Sequence, residues 1–302
     1  MTKSIPTLVN SSGGAAARLG DKLAPTIKAA FEQAGLTAEL HIVAGAKIAD
    51  AVSEAAGEGV VAVGGGDGTI GCAAGAIVDG GGKATLAILP LGTRNHLAGE
   101  LGIPGDLTKV AALIADGATR RIDLARVNGH AFVNNASVGF YPDMVEHREE
   151  MQARGLPKWL ANFPAAGHVL GRARHHRLRL RLDGSEQTVR TPMLFVGNNR
   201  YVLELGQVGK RQALDDGKLS VYAVESGTPV RLAWIALRTI LGRADTARDF
   251  AALAEVKAFE VEAHQRSIRI AIDGEVIRLR SPLRFTVQPK ALTVIATPLP
   301  PT

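Results

Sequence analysis

The sequence predicts an α/β domain built on a parallel sheet, followed by an antiparallel β-rich domain that reads as a β-sandwich. Three observations predict it. From Thr7 to about residue 122, apolar strand-like runs alternate with amphipathic helical runs, which indicates parallel strands covered by helices. Within that region Val60-Val61-Ala62-Val63 ends abruptly in Gly64-Gly65-Gly66-Asp67-Gly68-Thr69, and a small-residue segment of helical character runs from Ile70 to Val78. Beyond it, Arg177-Leu178-Arg179-Leu180-Arg181-Leu182 alternates strictly and Asp-Gly pairs separate the apolar runs, as in antiparallel hairpins. The boundary is placed after residue 124, giving domains 1–124 and 125–302, with the last segment from Leu292 able to return to the first domain.

The elements follow in order. Thr7-Leu8-Val9 is a short strand that runs into the loop Asn10-Ser11-Ser12-Gly13-Gly14. A helix is predicted from about Ala15 to Ala34, with Leu19, Leu23, Ile27, Ala30 and Phe31 on one face and Gly35 as its stop. Glu39 to Val43 reads as a strand, Ile48 to Ala56 as a helix and Ala84 to Leu89 as a strand. Ligands of such sheets bind at the carboxyl ends of the strands, where three Gly- or Asn-rich loops fall: Asn10–Gly14, Gly64–Thr69 and Leu91–Asn95. In the second domain Arg177–Leu182 is a half-exposed strand closed by Asp183-Gly184. Met193–Val196, Leu219–Val224, Phe259–Ala263, Ile268–Ile272 and Val276–Leu279 are further strands, and Asp273-Gly274 joins the last two.

Glycine lets the backbone approach a ligand closely, and the N–H groups of the loop and of the helix behind it favour an anion. Phosphate is the obvious one. No G-x-x-x-x-G-K-[ST] is present, so the loop is not a Walker A loop. Gly66-Asp67-Gly68-Thr69-Ile70-Gly71 matches the dinucleotide pattern, but the acid expected about 20 residues later is missing. Asp67 therefore reads as a polar group facing a nucleotide or its metal, and a side chain at Gly66 would crowd the loop. A tight βα turn without a ligand is the plainer alternative.

A formal charge of +6 and a pI near 9.6 favour anionic partners: nucleotides, acidic lipid headgroups or nucleic acid. The sequence lacks the aromatic-interleaved basic platform of single-strand binders, so nucleic acid is not expected. The single cysteine, Cys72, excludes an intrachain disulfide and points to a reducing compartment; it reads as a small buried packing residue. Met1–Pro6 lacks the apolar core of a signal peptide, and no run approaches the ~20 apolar residues of a membrane span. The expectation is a cytoplasmic chain.

The second glycine motif, Pro90-Leu91-Gly92-Thr93-Arg94-Asn95, follows the first by one helix and one strand. Together they resemble the catalytic domain of the diacylglycerol kinase family, which includes sphingosine kinases and soluble bacterial lipid kinases. The likeness covers nearly the whole chain. It continues through Arg121-Ile122-Asp123-Leu124, Asn134-Asn135-Ala136-Ser137-Val138-Gly139-Phe140, Gly197-Asn198-Asn199, Leu214-Asp215-Asp216-Gly217-Lys218-Leu219 and Ile272-Asp273-Gly274-Glu275. The resemblance implies a phosphofructokinase-like α/β domain, a β-sandwich domain, and ATP- and magnesium-dependent phosphorylation of a membrane-lipid hydroxyl such as that of diacylglycerol. It implies that Asn10, Gly65, Gly66, Asp67, Gly68, Thr69, Thr93, Asn95, Asp123 and Glu275 serve the nucleotide, with Asp67 and Asp123 near the catalytic metal. It also implies that Asp273 is the general base and that Asp216 and the Lys218 carbonyl hold a second, structural magnesium.

The departures from the family pattern are specific. His96 stands where many members have a carboxylate, Gly99 where they have Arg, and Ala213 at the third structural-metal position, with Asp215 as the available substitute. Those three residues keep open a nucleotide-binding regulator without catalysis, and the shared glycine motif keeps open an NAD kinase-like enzyme. His96 itself reads as a capping or core residue. Without the resemblance, Asp273 and Asp216 would be ordinary turn residues before glycine. Arg172–Arg177, the Arg-bearing segment Pro229–Arg243 and Met151–Phe163 with Trp159 read either as solvated or core-packed faces or as peripheral contacts with an anionic inner-membrane surface. A homodimer is compatible with the sequence.

Overall fold

The apolar run at Val60 becomes the middle of a parallel sheet. The computed structural model describes residues 3–12, 14–139, 142, 176–182, 184–201, 210–224 and 250–298. The chain divides into two units: Met1–Leu124 with His130–Asn134 and Gln288–Thr302, and Ala125–Gly129 with Asn135–Val287.

In the first unit the strands are β1 (Lys3–Asn10), β2 (Leu36–Val43), β3 (Val60–Gly65), β4 (Thr85–Pro90), the first part of β5 (Thr119–Val127), and β6 (His130–Phe132). The helices are α1 (Gly14–Leu19), α2 (Leu23–Gln33), α3 (Ile48–Ala55), α4 (Asp67–Asp79), α5 (His96–Glu100) and α6 (Leu107–Asp116). The order β2-β1-β3-β4 is parallel throughout. β3 and β4 are buried along nearly their whole length. That is why they read as unbroken apolar runs rather than alternating ones. α2 buries Leu23, Ile27, Ala30 and Phe31. The helix expected over 15–34 is interrupted by a 3₁₀ turn at Gly20–Lys22, where Gly20 has φ +50°.

α6 was not apparent in the sequence. It starts at Asp106, whose Oδ1 accepts the Lys109 N–H at 3.0 Å, and ends at Gly117 with φ 74°, a capped start and a left-handed stop. α4 buries Thr69, Ile70, Gly71, Ala73, Ala74, Gly75 and Ile77. Cys72 projects from the same helix but is exposed, so it is not the buried packing residue expected from its neighbours. No described helix is long and apolar enough to cross a membrane.

The second unit holds β7 (Asn135–Gly139), β8 (His176–Leu182), β9 (Ser185–Thr191), β10 (Met193–Asn198), β11 (Leu219–Val224), β12 (Phe250–Val256), β13 (Ala258–Ala263), β14 (Ser267–Ile272), β15 (Glu275–Arg280) and the first part of β16 (Leu283–Ile295). Six strands form an antiparallel sheet in the order β12-β11-β10-β7-β14-β15. A second antiparallel set runs β16-β13-β8-β9. The later residues of β16 belong to the first unit, where Thr293 and Val294 pair in parallel with Thr85 and Leu86 of β4.

The alternation in β8 is realised residue by residue: Leu178, Leu180 and Leu182 are buried, and Arg177, Arg179 and Arg181 are exposed. The arginines are not a bare cationic strip. Arg179 pairs with Glu186 at 3.0 Å and Glu262 at 3.5 Å, and Arg181 with Glu186 at 3.4 Å and Glu260 at 3.8 Å. β9 escaped the sequence reading because Ser-Glu-Gln-Thr-Val-Arg-Thr has no apolar face; it is an end strand, exposed along most of its length. Asp183, Arg172–His175, Met151–Phe163 and Pro229–Arg243 lie outside the described residues.

Removing the α6 cap tests this description. Asp106→Ala should lower unfolding free energy by about 1 kcal/mol, read by urea denaturation with an unchanged slope.

Candidate functional site

Parallel pairing brings three loops to one edge of the first unit. Val9 is opposite Gly64 and Gly65 opposite Pro90, so the turns after β1, β3 and β4 begin side by side. Their glycines are there because the backbones and side chains leave no room. A Cβ on Gly64 would come within 2.8 Å of Leu91 Cδ1, and one on Gly65 within 2.6 Å of Thr69 Cβ. On Gly92 it would lie 2.4 Å from Gly66 Cα and 2.5 Å from Asn95 Oδ1. At Gly66 the only neighbour is Gly92 Cα at 3.5 Å, an ordinary contact. A Cβ at Gly66 thus has room within the protein, whereas Gly65 and Gly92 are packed against it.

Gly66 caps α4 without a side-chain hydrogen bond. The first N–H groups of a helix have no intrahelical acceptor, and here no cap side chain competes for them. This is a suitable place for an anion.

The polar residues of the three loops form one hydrogen-bonded set. Asn10 Oδ1 accepts the Ser12 N–H at 3.0 Å, and its Nδ2 donates to Thr69 Oγ1 at 2.9 Å. Asp67 is half-buried. Its Oδ2 accepts the His96 N–H at 3.1 Å and its Oδ1 the Leu97 N–H at 3.2 Å. Asp67 thus caps α5 from across the loops, a role that α5's own cap residue leaves open. That residue is Asn95, with φ 52°. Its side chain closes the second glycine turn instead: Oδ1 accepts from Gly92 N at 2.9 Å, and Nδ2 donates to the carbonyls of Pro90 and Gly92 at 3.0 and 3.1 Å. Thr93 is exposed on that turn, and so is His96, which is therefore not a core residue.

Asp123 is fully buried on β5, and its Oδ1 accepts the Lys290 N–H at 2.7 Å. Lys290 has φ +49°, a strained conformation for a long side chain that this bond helps to hold.

In the second unit Asp273 and Gly274 have φ 47° and 89°, and Ile272 pairs with Glu275. This is the two-residue turn that Asp-Gly favours. Asp273 does more than turn the chain. Its N–H donates to the Asn135 carbonyl at 2.9 Å, and its Oδ1 accepts the Asn135 N–H at 3.1 Å. Glu275 is exposed at the start of β15.

The magnesium-binding expectation in this unit has a weaker basis. Asp216 is exposed, Asp215 is half-buried, Ala213 offers no ligand, and the Lys218 carbonyl already accepts the Asn199 N–H at 2.9 Å. Among the described residues, no group of three or more His, Cys, Asp or Glu side chains gathers as a metal set.

Sequence reasoning did not find the Gly66–Gly92 contact, the Asp67–α5 cap, the Asp123–Lys290 bond or the place of Asn135 beside Asp273. Only the adjacency of the two glycine motifs hinted at the first two.

Comparison with known proteins agrees with this geometry. Residues 5–127 match the model of the diacylglycerol kinase catalytic domain, and residues 138–296 match that of the YegS C-terminal NAD kinase beta sandwich-like domain. A Pseudomonas aeruginosa protein described as "Probable lipid kinase YegS-like" is 35% identical over 245 residues, covering 80% of this chain and 77% of the relative. A Staphylococcus aureus protein described as "Diacylglycerol kinase" is 24% identical over 263 residues, covering 85% and 80%. The crystal structure of a diacylglycerol kinase from Bacillus anthracis superposes with a TM-score of 0.67 at 20% identity, covering 98% of this chain and 97% of the other; at that identity the likeness concerns the fold.

The contrast between the glycines is measurable without any ligand. Gly92→Ala must push the backbone at Gly66, and such overpacking costs about 1–3 kcal/mol. Gly66→Ala should leave the melting temperature close to that of the unmodified protein, and equal losses at both positions would contradict the loop contact.

Proposed function

This chain belongs to the diacylglycerol kinase family and is a kinase of that lipid-phosphorylating type, and we propose that it transfers the γ-phosphoryl group of ATP to a hydroxyl of a membrane lipid such as diacylglycerol. One observation carries the proposal beyond family membership. The two loops that would receive the phosphates are locked to each other by Asp67 and by the Gly66–Gly92 approach, although His96 and Gly99 depart from the family pattern. A nucleotide-binding regulator would use the same loops, so phosphoryl transfer itself is what separates the two readings. At Gly99 a side chain would meet nothing within 4 Å, so losing the family's Arg there leaves the loops intact.

In this reading the N–H groups at the start of α4 and of the Gly65–Gly68 loop hold the β- and γ-phosphates. Phosphoryl transfer depends on such positioning and on electrostatic stabilisation. Kinase magnesium is held by one or two carboxylates together with phosphates and water, so a preformed cluster is not needed. Asp67, which keeps acceptor capacity beyond its two bonds to α5, is the residue of this chain that would hold the ion, which when bound neutralises phosphate charge. Asn10 and Thr69 shape the loop, Thr93 and Asn95 its neighbour, and Asp123 braces β5.

Asp273 is the proposed general base. A lipid hydroxyl is a poor nucleophile. As its oxygen bonds to the γ-phosphorus and the bond to the β-phosphate oxygen breaks, Asp273 takes the hydroxyl proton, leaving ADP and a lipid phosphate. The same carboxylate accepts the Asn135 N–H through Oδ1, which ties it to β7.

Asp273→Asn should preserve folding and nucleotide affinity and lower turnover by roughly 10²–10⁴-fold. The assay is transfer of labelled γ-phosphate to a panel of lipids in mixed micelles. A rate near that of the unmodified enzyme would remove Asp273 from the chemistry, and no transfer from ATP or GTP to any lipid would remove the kinase reading.

The +6 charge supports a peripheral contact with anionic lipid. The acid-paired arginines of β8 are not the surface for it. Vesicle flotation should show binding to anionic vesicles at low salt that weakens at high salt. Equal flotation with neutral vesicles would rule out the charge-based contact.

A further inference from the structure

We infer that Tyr201 is a positioning residue for the Asp273 carboxylate, acting through Asn135; the inference rests on the reading of Asp273 as the base. Asp273 is held in a left-handed conformation that a non-glycine residue rarely adopts. Both of its bonds to β7, N–H to carbonyl and carboxylate to N–H, go to Asn135. Asn135 therefore anchors the turn that carries the carboxylate.

The Asn135 side chain is fixed from the other side. Its Nδ2 donates to Tyr201 Oη at 3.1 Å. The register explains how a residue 66 positions away reaches it. Asn135 is paired across the sheet with Gly197 of β10, and the Tyr201 ring lies directly on Gly197. A Cβ there would come within 2.7 Å of the ring carbons Cδ2 and Cε2. The missing side chain lets the ring lie flat on the strand, and its hydroxyl then reaches the neighbouring amide.

Tyr201 is itself clamped. It is 8% exposed, packs edge-on against Phe195 with ring centres 5.2 Å apart, and forms an antiparallel bridge with Arg211. Arg211 Nη1 donates to the Asn198 carbonyl at 3.2 Å, and Gln212 N–H to the Arg200 carbonyl at 2.9 Å. The Gly-Asn-Asn motif thus supplies a flat seat for the tyrosine, and the Asn-Asn motif supplies the residue that connects the tyrosine to the base.

The test separates this link from the base itself. Tyr201→Phe keeps the ring on Gly197 and removes only the hydroxyl. It should lower kcat by roughly 10- to 100-fold, the range of a small misplacement of a reacting group, with the KM for ATP and the melting temperature unchanged. In an Asp273→Asn background the same substitution should cost nothing more. An unchanged kcat in Tyr201→Phe overturns the inference. So does an equal loss in both backgrounds, which would make Tyr201 independent of the base. A loss in Tyr201→Phe with Asp273→Asn fully active would sink the base reading and, with it, this route of action.

Discussion

Two oxygens of Asp67 hold the first unit's functional edge together. They accept the first N–H groups of α5 from the start of α4, so the two glycine turns move as one body. The Gly66–Gly92 approach is possible only because Gly92 carries no side chain. Asn95 then closes its own turn, and Asn10 fastens the first loop to Thr69. Uncapped helix N–H groups attract an anion, but only a rigid loop presents them without an entropic cost at binding. The constraint is the carboxylate bridge, which sets how the two glycine turns face each other.

The same chemistry recurs. Asp67, Asp106, Asp123 and Asp273 each accept at least one backbone N–H, from residues 96 and 97, 109, 290 and 135 respectively. Hydrogen bonds to a charged acceptor are stronger than neutral ones. A carboxylate placed this way ties together backbone segments that are distant in sequence. Asp273 occupies an ordinary Asp-Gly turn and is tied into β7 as well.

Charge illustrates how far composition reaches. The +6 balance is a property of the chain, but where cations face solvent unpaired is a property of the fold. On β8, Arg179 and Arg181 are matched by Glu186 on one neighbouring strand and by Glu260 and Glu262 on the other. Ion pairs of this exposed kind add little stability; their effect here is to neutralise a surface that the sequence alone leaves looking cationic.

The sequence by itself determined the local grammar. Alternation determined β8, the unbroken apolar runs β3 and β4, helical spacing the buried face of α2, and Asp-Gly the β14–β15 turn. Each is decided by residues within a few positions of one another, where side-chain period and φ preference act directly. The glycine motifs likewise marked the turns that follow β3 and β4. Elements with no apolar period, such as β9, were missed because their place in the sheet is set by partners. Only the tertiary structure decided that Gly92 rather than Gly66 is the crowded position, that Cys72 faces solvent, that Asp123 braces Lys290, and that Asp273 is bonded to a residue 138 positions away. Those outcomes depend on which backbones come within hydrogen-bonding or contact distance. That distance is set by sheet register and packing, and no local pattern encodes it.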